Sequence, residues 1–252
     1  MNYLIGDIGN TSLKICKINN KFRIVKTFLF RTKSVYLEKN LKKKINQLAK
    51  NNTCNKILFS SVVPHVYRKI DKIFRKKNFK IFEIKKFGLN KLLKFKVKRY
   101  SQLGSDRIAN AIGAYYKFKT NCIVIDFGTA TTFDVIKKPG IYDGGIITPG
   151  IALSIENLFL STALLPTFKL KKYPTNYGKN TKEALNSGFF WGYQGLINNI
   201  IKKIIKKNNK NFKVILTGGY SNLFKNKIFK QAIIEKDITI QGILKVYRKF
   251  LI

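Results

Sequence analysis

The chain reads as an α/β protein made of two related domains, and two observations carry that reading. The segment Tyr3-Leu4-Ile5-Gly6-Asp7-Ile8-Gly9-Asn10-Thr11 recurs in altered form, about half the chain later, as Ile123-Val124-Ile125-Asp126-Phe127-Gly128-Thr129-Ala130-Thr131-Thr132. Each copy also opens the same order of elements, three strand-like runs followed by alternating helix and strand, which is the mark of a duplicated α/β unit.

In the first half, residues 2–8, 12–19 and 22–30 are short apolar runs bounded by turn residues and read as strands. A helical period follows over 34–50, then a strand at 56–60, a helix over about 65–77 after Pro64, and a strand at 79–83. A helix beginning at Asp106 closes this half, and the boundary falls within 117–121, which predicts domains at 1–117 and 118–252. The second half has strands at 122–126, 131–136 and 142–147, then helices at 151–161 and 182–207. A strand at 212–217 ends in Gly218-Gly219, and a terminal helix starts near Gln241. The stretches 85–103 and 166–180 have no clear period and read as loops around a cleft, each preceding candidate site residues.

At 252 residues and 45% apolar content the chain can bury real cores. Its net charge of +38 first suggests a polyanion partner, with clusters at Lys42-Lys43-Lys44, Arg75-Lys76-Lys77, Lys202-Lys203 and Lys206-Lys207. Lys far outnumbers Arg, however, although base-edge reading favours the Arg fork, and the charges are spread along polar helix faces. The enrichment of Asn, Ile and Phe alongside Lys fits an adenine- and thymine-rich coding sequence, so a solvated, compositionally drifted surface outweighs nucleic-acid binding. The three cysteines, Cys16, Cys54 and Cys122, have neither disulfide nor zinc spacing, and the lone His65 follows Pro64 at a helix start. Asp7 interrupts the N-terminal apolar run, unlike a signal peptide, and no apolar stretch approaches the roughly 20 residues of a membrane span. These features predict a reduced, cytoplasmic, soluble protein with no membrane partner.

Both repeats end an apolar run with Asp, a spacer, Gly, and then hydroxyl or amide residues, the pattern of a hairpin whose turn suits an anion. Gly admits a phosphate close to the backbone, Thr and Asn donate to its oxygens, and the Asp faces a cation or its water. Two such hairpins would clamp a nucleoside triphosphate. The P-loop sequence and the Gly-x-Gly-x-x-Gly fingerprint are both missing. Thr217-Gly218-Gly219 offers a close approach for adenosine. Within Gly104-Ser105-Asp106-Arg107, Asp106 has two open readings: a carboxylate capping a helix N-terminus, or a base accepting a proton from a substrate hydroxyl beside an anion-binding Arg107.

Taken in order, Asp7-Ile8-Gly9-Asn10-Thr11 with Lys14, Gly104-Ser105-Asp106-Arg107, Asp126-Phe127-Gly128-Thr129-Ala130-Thr131-Thr132 and the run from Gly144 to Gly150 resemble the type III pantothenate kinases. Tyr177-Gly178-Lys179-Asn180-Thr181 with Gly188, and Thr217-Gly218-Gly219, follow in that family's order, and the resemblance extends into the segment from Asp237 to Gly242. It implies two ribonuclease H-like (actin-like ATPase) domains with a cleft between them, a homodimer, and ATP-dependent phosphorylation of pantothenate, the first step toward coenzyme A. It also implies a monovalent cation, potassium or ammonium, with magnesium arriving on ATP. Carried onto this chain, Asp7, Ile8, Gly9, Asn10, Thr11, Ser12, Leu13 and Lys14 would hold the ATP phosphates, with Thr129 as a further contact. Asp126 would bind the monovalent cation, Gly104, Ser105, Asp106, Arg107 and Thr181 would contact pantothenate, and Asp106 would be the proton acceptor. The chain departs from the family pattern at Val97, where a Tyr is usual, and carries Tyr100 nearby. The competing readings are another small-molecule kinase of the same superfamily and a non-enzymatic transcriptional accessory factor.

Overall fold

The computed structural model describes residues 2–36, 45–48, 54–170 and 173–252. The chain divides into two compact units, 1–117 with 237–252, and 118–236. The C-terminal helix, which the sequence reading placed in the second domain, therefore packs within the first unit.

In the first unit, β1 (Tyr3–Ile8), β2 (Ser12–Ile18) and β3 (Ile24–Arg31) form an antiparallel meander. β4 (Lys56–Ser61) and β5 (Lys80–Glu83) extend it in parallel, giving the sheet order β3-β2-β1-β4-β5. β1 and β4 are almost continuously buried, as apolar strands covered on both faces should be. α1 (Pro64–Arg75) opens with Pro in its first turn and buries Val66, Ile70 and Phe74 at helical spacing. These side chains pack on Leu4, Ile8, Leu13, Ile15, Ile57 and Phe59 of the sheet. The helix expected over 34–50 lies mostly outside the described residues; Thr32–Tyr36 is a 3-10 turn, and 45–48 is helical. The loop expected over 85–103 contains short 3-10 turns and the two-residue strand β6 (Lys94–Phe95). α2 (Ser105–Phe118) and α6 (Ile238–Phe250) complete this unit.

The second unit repeats the plan. β7 (Cys122–Phe127), β8 (Ala130–Lys137) and β9 (Ile141–Pro149) form the antiparallel meander, and β10 (Lys213–Gly218) and β11 (Ala232–Ile234) extend it in parallel. The order β9-β8-β7-β10-β11 matches the first unit strand for strand. α3 (Ile151–Leu160) follows the meander, and the 28-residue α4 (Thr181–Asn208) buries Phe190, Ile197, Ile201 and Ile204 along one stripe. Its Lys-rich opposite face stays in solvent, and Asn209 ends it in the left-handed conformation. The short α5 (Ser221–Phe224) places Phe224 in a stack with Phe127 and Phe190. β11 and α5 went unread in the sequence because each is too short to show a period.

Candidate functional site

The candidate residues of the first unit gather at the carboxyl ends of its parallel strands. Asp7 lies near the end of β1, paired with Lys14 on β2 and Ser60 on β4, and Glu83 is the last residue of β5. In an open α/β sheet that edge is where ligands bind. The first hairpin turn is closed by the Gly9 N–H donating to the Ser12 carbonyl at 2.9 Å. The Thr32 hydroxyl braces it from outside by donating to the Gly9 carbonyl at 2.6 Å. A Cβ at Gly9 would meet only the Ser12 carbonyl, at 3.3 Å, so the turn leaves open space over its backbone. Asn10 and Thr11 are exposed at its tip, while the side chains of Ile8 and Leu13 are fully buried in the core. Those two residues shape the hairpin by packing. The Lys14 ammonium meets the Asp237 carboxylate at 2.5 Å.

The second hairpin is built differently. The Gly128 N–H closes the turn on the Ala130 carbonyl at 3.1 Å, and the Gly150 N–H donates to the Thr129 carbonyl at 3.1 Å. A Cβ on Gly150 would stand 2.2 Å from that carbonyl, so only glycine allows this approach. Thr129 is exposed at the tip. Asp126 pairs with Thr132 on β8 and Thr217 on β10. Gly218, at φ +83°, leaves a hollow in which a Cβ would lie 2.6 Å from the Phe127 carbonyl and 2.7 Å from Asp126 Oδ1. The buried Thr132 hydroxyl oxygen has no hydrogen-bond partner among the described residues. A carboxylate, a carbonyl and a hydroxyl form a hard oxygen donor set, which fits an alkali cation.

The start of α2 carries the remaining first-unit residues. Asp106 Oδ1 accepts the Arg107 N–H at 2.7 Å. Burial nevertheless pushes the Asp106 carboxyl above its ordinary range, with the Arg107 N–H and guanidinium opposing that rise. Gly104 makes room for this carboxylate: a Cβ there would lie 2.5 Å from Asp106 Oδ1. Ser105 is 2% exposed and gives its hydroxyl to Glu83 at 2.5 Å, so it faces the protein rather than solvent. Glu83 also accepts the Lys85 N–H at 2.8 Å, and burial raises its carboxyl despite both bonds. The Tyr100 phenol, near Glu83, is pushed up to about 12 by burial and by that carboxylate. Sequence reasoning passed over Glu83. Its signal was scarcity, since an acid ending a strand stands out in a chain with 12 acidic residues.

Thr181 sits in the second unit as the exposed first residue of α4. Its helix start is well made: Asn180 accepts the Glu183 N–H at 3.0 Å, and Glu183 accepts the Lys179 N–H at 3.0 Å. Beside it lies a cavity of about 620 Å³ whose lining includes Tyr173, Asn176, Tyr177, Lys182, Glu183 and Ser187. The thiols of Cys16, Cys54 and Cys122 are reduced and buried, and burial pushes Cys122 up to about 12, as expected of inert core thiols. His65 is exposed at the start of α1. Among the described residues no three or more His, Cys, Asp or Glu side chains form a metal-ligand group, and no helix is long and apolar enough to cross a membrane.

Comparison with known proteins matches this arrangement in both sequence and fold. The family model described as type III pantothenate kinase matches residues 3–203. A type III pantothenate kinase from Pelagibacter ubique is 47% identical over 244 residues, covering 96% of this chain and 97% of that protein. One from Desulfosudis oleivorans is 34% identical over 247 residues, covering 95% and 96%. Among solved structures, a Campylobacter jejuni protein assigned to the Baf family of transcriptional activators superposes with a TM-score of 0.61 at 23% identity, over 98% of both chains. The activator of 2-hydroxyisocaproyl-CoA dehydratase from Clostridium difficile gives 0.56 at 10% identity, over 99% and 95%. At these identities the structural matches speak for the fold alone, which is that of the actin-like ATPases.

Proposed function

We propose a division of roles from one premise: the chain belongs to the type III pantothenate kinase family, whose reaction is the ATP-dependent phosphorylation of pantothenate in coenzyme A biosynthesis. The observation that carries the assignment is the Asp106 carboxylate, set in the space left by Gly104 and bonded by the Arg107 N–H. Phosphoryl transfer asks mainly for positioning and charge neutralisation, so one base and a set of donors suffice.

Asp106 accepts the proton of the pantothenate primary hydroxyl as the oxygen attacks the γ-phosphorus. Its raised affinity for protons suits that task. Arg107 meets the pantothenate carboxylate, where its fork can bind both oxygens. Gly104 and Thr181 contribute substrate contacts, while the Ser105 hydroxyl is committed to Glu83. The hairpin from Asp7 to Lys14 holds the ATP phosphates through the exposed Asn10 and Thr11, backbone groups and the Lys14 ammonium, with Thr129 as a further contact. Asp126, Thr132 and the Phe127 carbonyl hold a monovalent cation, potassium or ammonium. Magnesium, when bound, neutralises phosphate charge, and the Asp7 carboxylate is the hard donor placed to face it or its water. The exposed apolar residues Leu153, Phe159 and Leu160 on α3 and Trp191 on α4 fit a homodimer contact. The reduced, buried cysteines fit a cytoplasmic setting.

The test is a steady-state assay of the purified protein with magnesium, ATP, potassium and pantothenate, followed by product analysis. Formation of 4'-phosphopantothenate is expected, with activity falling when sodium replaces potassium. Asp126→Ala is expected to raise the potassium concentration needed for half-maximal rate. Equal activity in potassium and sodium, in both forms, would remove Asp126 from the cation site.

A further inference from the structure

We infer that Asp237 is a positioning residue for the ATP-facing Lys14, holding its ammonium from the start of α6; the inference rests on the reading of Lys14 as a phosphate contact. Asp237 occupies the N-cap position of α6, where an Asp ordinarily accepts an N–H from the first helical turn. Its side chain makes no such bond. It turns instead to Lys14, 223 residues away in sequence, and meets the ammonium at 2.5 Å. The carboxylate has given up the common local role for a distant partner.

The helix that carries Asp237 is closely packed. α6 crosses α2 with the two backbones in contact: a Cβ on Gly242 would stand 1.9 Å from the Ala109 carbonyl, and one on Gly113 would stand 2.3 Å from the Ile238 carbonyl. The Thr239 hydroxyl donates to Asn110 at 2.7 Å, and the buried Tyr247 anchors the far end by donating to the Lys56 carbonyl at 3.1 Å. α2 is the helix that begins with Ser105 and Asp106. One helix pair therefore sets both the ammonium aimed at ATP and the base aimed at pantothenate. A lysine has a flexible four-carbon stem, and ordering it beforehand removes part of the entropic cost of meeting a phosphate. Lys14, Asp7 and Asp237 all act on the Cys16 thiol, which places the three charges around one stretch of β2.

The experiment is a double-mutant cycle on the full chain, reading the KM for ATP, the KM for pantothenate, kcat and the melting temperature. Asn and Ser cap helices as well as Asp does, so Asp237→Asn and Asp237→Ser keep the α6 start while removing the charge. The expected result is an increase of about tenfold in the KM for ATP with Lys14→Met, and about threefold with either Asp237 variant, with the KM for pantothenate unchanged. In the Lys14→Met background the Asp237 variants should add nothing, and Asp237→Glu should recover most of the ATP affinity. If Lys14→Met leaves the KM for ATP unchanged, the phosphate role of Lys14 falls, and this inference with it. If Lys14→Met raises that KM while Asp237→Asn and Asp237→Ser do not, the inference alone is overturned. An Asp237 effect that persists in the Lys14→Met background, or follows melting temperature alone, shows that Asp237 serves α6 and also overturns it.

Discussion

At Asp106 two effects oppose each other on one carboxylate. Its position in the first turn of α2 and its bond from the Arg107 N–H favour the ionised form, yet burial outweighs them and the carboxyl titrates above its usual range. A base must be ionised to act, so kcat/KM is expected to fall as pH drops through this raised value. The acid limb should stand above the roughly 3.9 of a free Asp. Asp106→Asn should lower kcat by about 10²–10⁴ with nucleotide affinity retained, measured by steady-state kinetics and nucleotide titration. Equal loss of nucleotide binding would return Asp106 to the role of a helix cap. The stability sign runs opposite to the activity. A carboxyl raised in the folded state contributes stability below its unfolded pKa and loses that contribution as pH rises through the folded value. Asp106→Asn should therefore melt at or above the parent protein near neutral pH, with the advantage shrinking as pH falls toward about 4. Gly104→Ala should reduce kcat with little change in melting temperature, because the atom its Cβ displaces belongs to the proposed base.

At the scale of elements, the crossing of α2 and α6 holds the first unit's site together. Ala109 and Gly113 on α2 meet Gly242 and Ile238 on α6, and small residues at the crossing let the backbones touch. Gly242→Ala forces a methyl into the Ala109 carbonyl, and overpacking of this kind costs about 1–3 kcal/mol. Urea unfolding should report that loss. Because the crossing aims both Asp106 and Asp237, kcat should drop as well; an unchanged denaturation midpoint would show that the helices can separate at no cost. None of this was readable in the sequence. Gly242 sits in a helical run, where a glycine usually signals only lost propensity, and the reading began the helix after Asp237 instead of capping it there. The β1–β2 and β7–β8 hairpins, by contrast, were readable residue by residue, since a period of two and a turn are local properties.

For the whole molecule, strand order repeats between the units while the chemistry does not. The first hairpin carries an ammonium opposite its Asp, and the second carries a threonine opposite its own; the proposed division between phosphates and a cation rests on that difference. The charge of +38 also belongs to this scale. If it is a solvated surface, duplex DNA should be retained at about 50 mM salt and released by about 200 mM, leaving kinase turnover unaffected. Retention at physiological salt in competition with ATP would favour the accessory-factor reading instead.

The sequence by itself determined the duplication, the meander and helix order, both Asp-x-Gly hairpins and the Asp106 cluster, because each is written in neighbouring residues or in a short period. Only the tertiary structure decided what lies behind them. Ser105 turns its hydroxyl inward to Glu83, Lys14 reaches Asp237, and the last helix packs with the first unit. Such pairs join distant parts of the chain. Their formation depends on strand order, helix crossing and burial, none of which has a local signature.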